Sequence, residues 1–173
     1  RGHLNRAERK SIDIKGGDEE QYFESFLREH SRLIAEKQFK TSVTPRFLRA
    51  LQDALPNSKK MLAVLAYREE ELLGSVLMTF YGETAEYLAG NTTDYGRRLG
   101  AGHLMLWRAI EIVQGRGYQH MDVSGMDPVR TSAGILTFKK GLNPKPYQFA
   151  NNLYAGVQGP IPWALHKLIN QVL

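Results

Sequence analysis

The chain predicts an α/β fold, with helices on a mixed, mostly antiparallel sheet that contains one parallel β-α-β crossover. Three observations predict it. Helical spacing fills the first third. Three crowded strand-like runs follow. A strand, a glycine-bearing turn, a helix and a second strand then span residues 85–125. Helices, then antiparallel strands, then a crossover is an order that suits helices packed on a mixed sheet. At 173 residues the chain is long enough for one domain with a real core.

HLNRAERK reads as the end of a helix and SIDIK as a short alternating strand, with Gly16-Gly17 breaking the chain after it. Asp18 is a candidate N-cap with Gln21 at the capping-box position. Tyr22, Phe23, Phe26, Leu27, His30, Leu33 and Ile34 follow at helical spacing. Thr44-Pro45 opens a second helix, which turns Phe47, Leu48, Leu51 and Leu55 inward until Pro56-Asn57 stops it.

MLAVLAYREEELLGSVLMTFYGETAEYLAG reads as three strands. The turns Arg68-Glu69-Glu70-Glu71 and Tyr81-Gly82-Glu83 make them hairpins. Leu104 to Val113 is a helix stopped by Gly115 and Gly117. Tyr118 to Val123 reads as a buried strand, and a short helix runs up to Lys140. Pro144 and Pro146 mark a loop before a last strand over Tyr147 to Tyr154. A terminal helix starts at Pro160 and Pro162, with Ile161, Leu165, Leu168, Ile169 and Val172 on one face.

Composition narrows the function. The absence of cysteine excludes disulfides and thiol chemistry, and with no signal peptide it favours a cytoplasmic site. No apolar run is long enough to span a bilayer, so membrane contact would be peripheral, through the terminal helix. The net charge of +5 suits an anionic partner such as RNA or a phosphorylated small molecule, or else a solvated basic surface. Five histidines are scattered without metal-ligand spacing, so no metal site is expected. His103 is a possible base or a structural residue at a helix start. Trp107 and Trp163 read as core or domain contacts.

Arg97-Arg98-Leu99-Gly100-Ala101-Gly102 looks like the pyrophosphate loop of GNAT acyltransferases, in which backbone N–H groups at a helix start hold an anion. A wider likeness covers nearly the whole chain. HLNRAERKSIDIK, LAGNTTDYGRRLGAGHLMLWRAIEIVQGRGYQHMDVSGMDP and AGILTFKKGLNP, in that order, resemble the second GNAT-like domain of the FemABX aminoacyltransferases, the peptidoglycan interpeptide-bridge enzymes. The resemblance implies a parallel crossover splayed to admit an acyl donor. It implies transfer of an amino acid from aminoacyl-tRNA to an amine on a cell-wall precursor, without metal or other cofactor. It also implies that this chain is the C-terminal half of a two-domain protein, packed on an N-terminal partner domain. The sequence departs from the family in two places. Arg97-x-x-Gly100-x-Gly102 is closer to the turn of acetyl-CoA enzymes, and Ser124 replaces a glycine of the family's strand end. Acetyl-CoA as donor is therefore the alternative, and a non-catalytic module binding RNA or a cell-wall precursor is a third reading. DNA is not expected as a partner.

Amine attack on an activated ester needs positioning and donors for the oxyanion, but no side-chain nucleophile. Lys139 is the first candidate catalytic residue; by resemblance it approaches the tetrahedral centre, and otherwise it is an exposed helix-end lysine beside Lys140. Asp122, at a strand end, is the second, as proton acceptor or amine orienter, or else as a loop cap. Phe138 could stack on an adenine or pack in the core. Tyr87 and Asn91 flank the splayed strand, and Ser124 could donate a hydrogen bond or form a turn. Arg97 and Arg98, with Gly100, Ala101 and Gly102, make the phosphate or CoA-like loop, unless the arginines pair with Asp94. Lys37 and Lys40 match basic residues that the family uses for nucleotide phosphates.

Overall fold

The computed structural model describes residues 11–38, 41–129 and 131–147. The elements are β1 (Asp13–Gly17), α1 (Glu20–Lys37), α2 (Pro45–Ala54), β2 (Leu62–Arg68), β3 (Glu71–Tyr81), β4 (Thr84–Thr92), α3 (Asp94–Leu99), α4 (Ala101–Gly115), β5 (His120–Asp122) and α5 (Ala133–Lys140). The strands lie side by side in the order β1-β2-β3-β4-β5. All neighbours are antiparallel except β4 and β5, which are parallel. The mixed sheet and its crossover are those the sequence predicts.

Helices cover both faces. Phe23 and Phe26 of α1 and Leu48 of α2 bury against Met61, Ala63, Leu65 and Leu77 on one face. On the other, Ala101, Met105, Ala109 and Val113 of α4 bury against Leu62, Val64, Val76, Met78, Phe80 and Ala85. Alternation along β2 and β3 serves both layers at once, so these strands read as apolar runs. The hairpin turns fall at residues 69–70 and 82–83, where Glu69 (φ 58°) and Gly82 (φ 52°) take the positive φ that tight hairpins favour.

Thr44 caps α2 as its sequence predicts, its hydroxyl accepting the Phe47 N–H at 3.1 Å. His30 is buried in α1, with its Nε2 2.7 Å from the Val43 carbonyl. That contact ties α1 to the residue before the α2 cap.

Several local expectations are corrected. Gly16 and Gly17 do not break the chain; they are paired inside β1, opposite Val64 and Ala63. A Cβ on Gly16 would lie 2.6 Å from the Ala63 carbonyl oxygen, so the bare backbone admits the close approach. With β1 extended to Gly17, α1 begins later. Glu19 occupies its N-cap without a side-chain hydrogen bond, and Asp18 pairs with Arg116 at 3.2 Å instead. Phe47, expected to turn inward, is 47% exposed; Trp107, at 44%, is not a core residue, which leaves the domain-contact reading of it. The last strand of the crossover shrinks to three residues at the sheet edge. Tyr118 stays outside it and stacks on Phe80 with ring centroids 4.7 Å apart. The helix expected before SIDIK, the strand over Tyr147 to Tyr154 and the terminal helix with Trp163 lie outside the described residues, apart from Tyr147, which is in no strand.

The β4–α3 junction is pinned to β3. Leu73 O accepts the Thr93 N–H at 2.9 Å and the Thr93 hydroxyl at 3.2 Å. A Cβ on buried Gly96 would fall 2.2 Å from the same oxygen. Gly96→Ala must therefore move backbone, with an expected loss of about 1–3 kcal/mol in chemical denaturation. Gly134, in α5, has no atom within 4 Å of its Cβ position. Gly134→Ala should leave stability unchanged or raise it by up to about 1 kcal/mol.

Candidate active site

β4 and β5 share only three rungs: Thr84↔His120, Ala85↔Met121 and Glu86↔Asp122. Beyond Glu86, β4 runs on from Tyr87 to Thr92, and among the described residues no strand pairs with it on that side. Two features part the strands. In β4 the register against β3 passes from Leu77↔Ala89 to Met78↔Tyr87, so Leu88 is an extra, bulged residue that bends the strand. In the other chain segment, Asp122 Oδ1 accepts the Ser124 N–H at 2.7 Å, and Ser124 takes φ 62°. The peptide turns off the sheet there. The result is a slot whose one wall is an unpaired backbone edge, able to bond an extended, amide-bearing ligand.

The wide end of the slot meets a helix start. The expected glycine turn is instead two helices joined at Gly100, whose φ of 82° lets α3 end and α4 begin on one residue. The Thr93 hydroxyl caps α3 by accepting the Gly96 N–H at 2.9 Å. The first N–H groups of a helix have no acceptor within it, which here concerns Ala101 and Gly102. Gly102 adjoins the slot: a Cβ on it would lie 3.3 Å from Thr92 Oγ1 and 3.6 Å from the Phe138 ring. Arg97 pairs with Asp94 and donates to the Thr92 carbonyl at 2.5 Å, as the surface-pairing alternative predicts. Arg98 lies over the Tyr95 ring, 5.8 Å from its centre.

The structure separates Lys139 from Lys140. Lys140 is exposed, whereas Lys139 is 6% exposed. Its Nζ donates to the Gly125 carbonyl at 2.8 Å and lies 6.0 Å from the centre of the Tyr87 ring. It thus bridges the gap between β4 and the segment leaving β5. Burial lowers the Lys139 pKa, and the Asp122 charge opposes that shift. Burial pushes the Tyr87 phenol up to about 12, which keeps it a neutral hydroxyl. Phe138, beside Lys139, is half-buried and meets the His103 ring edge-on, with centroids 4.9 Å apart.

Glu86 and Tyr87 are adjacent, so they project to opposite faces of the sheet. Tyr87 joins the α4-side core. Glu86 lies on the α1 side with its ladder partner Asp122. Asp122 is crowded with donors: the Ser124 N–H on Oδ1, and on Oδ2 the Tyr147 hydroxyl and, at 3.4 Å, the Tyr81 hydroxyl. The Tyr147 phenol is pushed up to about 12, chiefly by its hydrogen bond to Asp122. Tyr81 is raised too, by burial and then by the Asp122 charge. Burial, reinforced by the same charge, raises the Glu86 carboxyl.

Asn91 donates to the Ser75 hydroxyl at 2.8 Å, on the α1 side of β4 and away from Tyr87. Beside it opens a cleft of about 240 Å³ between α1 and the end of β4, lined by Glu29, Arg32 and Glu36 and by Asn91, Asp94 and Arg97. Lys37 is the last residue of α1. Lys40 lies outside the described residues. Among the described residues, no three of His, Asp and Glu converge as a metal site, and no helix is long and apolar enough to cross a membrane.

The structure thus gathers Lys139, Tyr87, Asp122 and Ser124 at the narrow end of the slot and Phe138 and Gly102 at the wide end. Sequence reasoning passes over Glu86, Tyr81 and Tyr147. One signal was available for the first: Glu86 is the only charge in the strand TAEYLAGNT. Tyr147 carries no such mark, because only the fold returns it to β5.

Residues 1–140 match the family model described as an acetyltransferase (GNAT) domain. An aminoglycoside acetyltransferase from an uncultured soil metagenomic sample, solved with sisomicin, has TM-score 0.59 at 16% identity, covering 86% of this chain and 97% of its own. A Clostridium acetobutylicum protein described as a predicted acetyltransferase, solved with acetyl-CoA, has TM-score 0.62 at 11% identity, covering 83% and 96%. The ribosomal-protein-alanine N-acetyltransferase of Brucella melitensis biovar Abortus 2308 has TM-score 0.57 at 12% identity, covering 84% and 99%. These identities speak for the fold alone. No curated protein matches the chain in sequence. Parted strands, a helix start at their mouth and a family match over most of the chain agree: it belongs to the acetyltransferase (GNAT) domain family.

Proposed function

We propose that the slot transfers an acetyl group from acetyl-CoA to an amine. The observation that carries this reading is the unpaired β4 edge, Tyr87 to Thr92, running from buried Lys139 to the amino end of α4. An extended thioester donor matches that length of free backbone. Its amides would bond the edge, and its diphosphate would lie at Gly100, Ala101 and Gly102, where bare backbone permits close approach. The thioester carbonyl then falls near Lys139. An ammonium held with little water beside a developing oxyanion stabilises it far more than the same charge in bulk solvent.

Acetyl-CoA here takes precedence over the aminoacyl-tRNA that the Fem resemblance implies. The family model and the solved structures named above are acetyltransferases by description, and one holds acetyl-CoA. None of them is a Fem enzyme. The α1 side of the sheet, with its cleft at Asn91 and its carboxylates at Glu86 and Asp122, is the side from which an amine can approach without crossing α4.

Isothermal titration with acetyl-CoA and with deacylated tRNA separates the readings. Acetyl-CoA should bind and tRNA should not, and Gly102→Leu, which fills the approach, should weaken acetyl-CoA binding at least about tenfold. Binding of tRNA alone would restore the Fem-like donor, and binding of neither would favour a non-catalytic module. Turnover is read by CoA thiol release with sisomicin, spermidine and an alanyl peptide as acceptors. Lys139→Met should lower kcat about 10²–10³-fold, the scale of losing one oxyanion donor, while Lys140→Met should not. Equal losses in the two variants would contradict the assignment.

A further inference from the structure

The bulge at Leu88 has a second effect. It takes one residue out of the alternation along β4, so Tyr87 and Gly90, three apart in sequence, share a face. Their partners across the ladder, Met78 and Val76, both belong to the α4-side core. Gly90 offers no side chain there, and the Tyr87 phenol uses the space. A Cβ on Gly90 would lie 2.3 Å from the Tyr87 hydroxyl oxygen and 3.0 Å from the ring carbon that bears it. The ring therefore lies down along the strand, beside the start of the unpaired edge, rather than standing up from the sheet.

Lys139 closes the same space from the other side. Its Nζ is held by the Gly125 carbonyl at 2.8 Å and stands 6.0 Å from the centre of the Tyr87 ring. Carbon atoms touch at about 3.5–4.0 Å, and a charged N–H···O contact needs about 2.7–2.9 Å. The gap therefore holds one layer of atoms. A thioester is planar through its carbonyl carbon, oxygen, sulfur and first acyl carbon. It fits as that layer, flat on the ring with its oxygen at the ammonium. Burial keeps the phenol neutral, so the floor sets no negative charge against that oxygen.

We propose that Tyr87 decides which acyl groups the slot accepts, admitting the flat two-carbon acetyl group and turning away branched ones. This names the donor within the acetyl-transfer reading above and rests on it. All heavy atoms of an acetyl thioester lie in one plane. A propionyl group has one further carbon, which fits only when turned into that plane. An isobutyryl group is branched at the carbon next to the carbonyl, so one methyl must leave the plane and meet the ring or the ammonium. One misfitting carbon in a close-fitting pocket is worth about 10–200-fold. The preference therefore falls in the order acetyl, propionyl, isobutyryl. The floor that enforces it is a side chain, so it can be changed without altering the backbone edge of the slot.

Calorimetry on the full chain with CoA, acetyl-CoA, propionyl-CoA and isobutyryl-CoA tests this without an acceptor. Wild type should hold acetyl-CoA at least about tenfold more tightly than isobutyryl-CoA. Tyr87→Ala removes the floor, so its affinity for isobutyryl-CoA should rise in absolute terms by about tenfold, which general damage to the slot would not do. Tyr87→Phe keeps the ring and should keep the wild-type order. If Tyr87→Ala does not fold by circular dichroism, Tyr87→Leu, which also lacks the ring, is read in its place. Gly90→Ala lifts the phenol into the layer. It should weaken acetyl-CoA binding about fivefold or more in wild type and much less on top of the Tyr87 variant. Wild type that binds isobutyryl-CoA as tightly as acetyl-CoA overturns this inference alone. So does a Tyr87 variant without the ring that binds isobutyryl-CoA no better than wild type, or a Gly90→Ala loss that is equal in both backgrounds. Wild type that binds neither CoA nor any of the three acyl donors overturns the acetyl-transfer reading and this inference with it.

Discussion

The structure depends on one unsatisfied length of backbone. A strand inside a sheet spends its N–H and C=O groups on two neighbours, and an unpaired group shielded from water is expensive. β4 has β3 along its whole length but β5 for only three rungs. The bulge at Leu88 and the turn at Ser124 enforce the parting locally, so no rearrangement is needed to open the slot. A ligand that offers alternating amides restores what β5 withholds.

The second constraint is the period of two along a strand. It sends Glu86 and Tyr87 to opposite faces, and each face brings its own partners. On the α4 side the partners are aromatic and cationic, Tyr87 and Lys139. On the α1 side they are acidic and phenolic, Asp122, Tyr81 and Tyr147. The two sets couple across the sheet: the Asp122 charge opposes the effect of burial on Lys139 and adds to it at Glu86. Each of those groups is held where burial disfavours its charge. Such tension, placed at the narrow end of an open slot, is common at sites of proton transfer.

The sheet was legible because its signals are local and strong. The three apolar runs with tight polar turns at residues 69–70 and 82–83 leave little choice but hairpins, and Thr44-Pro45 marks a helix start with one hydrogen bond. The site was legible in part. Lys139, Asp122 and Tyr87 stand out by resemblance and position, but nothing in the letters shows that Lys139 rather than Lys140 turns inward, or that Asp122 spends its lone pairs on three donors. The glycine turn was legible as a break but not as a junction of two helices, because the capping of α3 by Thr93 reads like ordinary loop chemistry. Phe47 was misread because helical spacing gives a face, while tertiary packing decides how wide that face is. The Fem likeness supplied the superfamily, and its finer substrate does not follow from the fold.

Amide hydrogen exchange tests the central claim most directly. Without ligand, the amides of Tyr87 to Thr92 that face the slot should exchange far faster than those paired to β3. On addition of acetyl-CoA, those slot amides and the amides of Ala101 and Gly102 should become protected together, leaving β1 and β2 unchanged. Slot amides already protected without ligand would contradict the account, as would acetyl-CoA protection that bypasses residues 87–92.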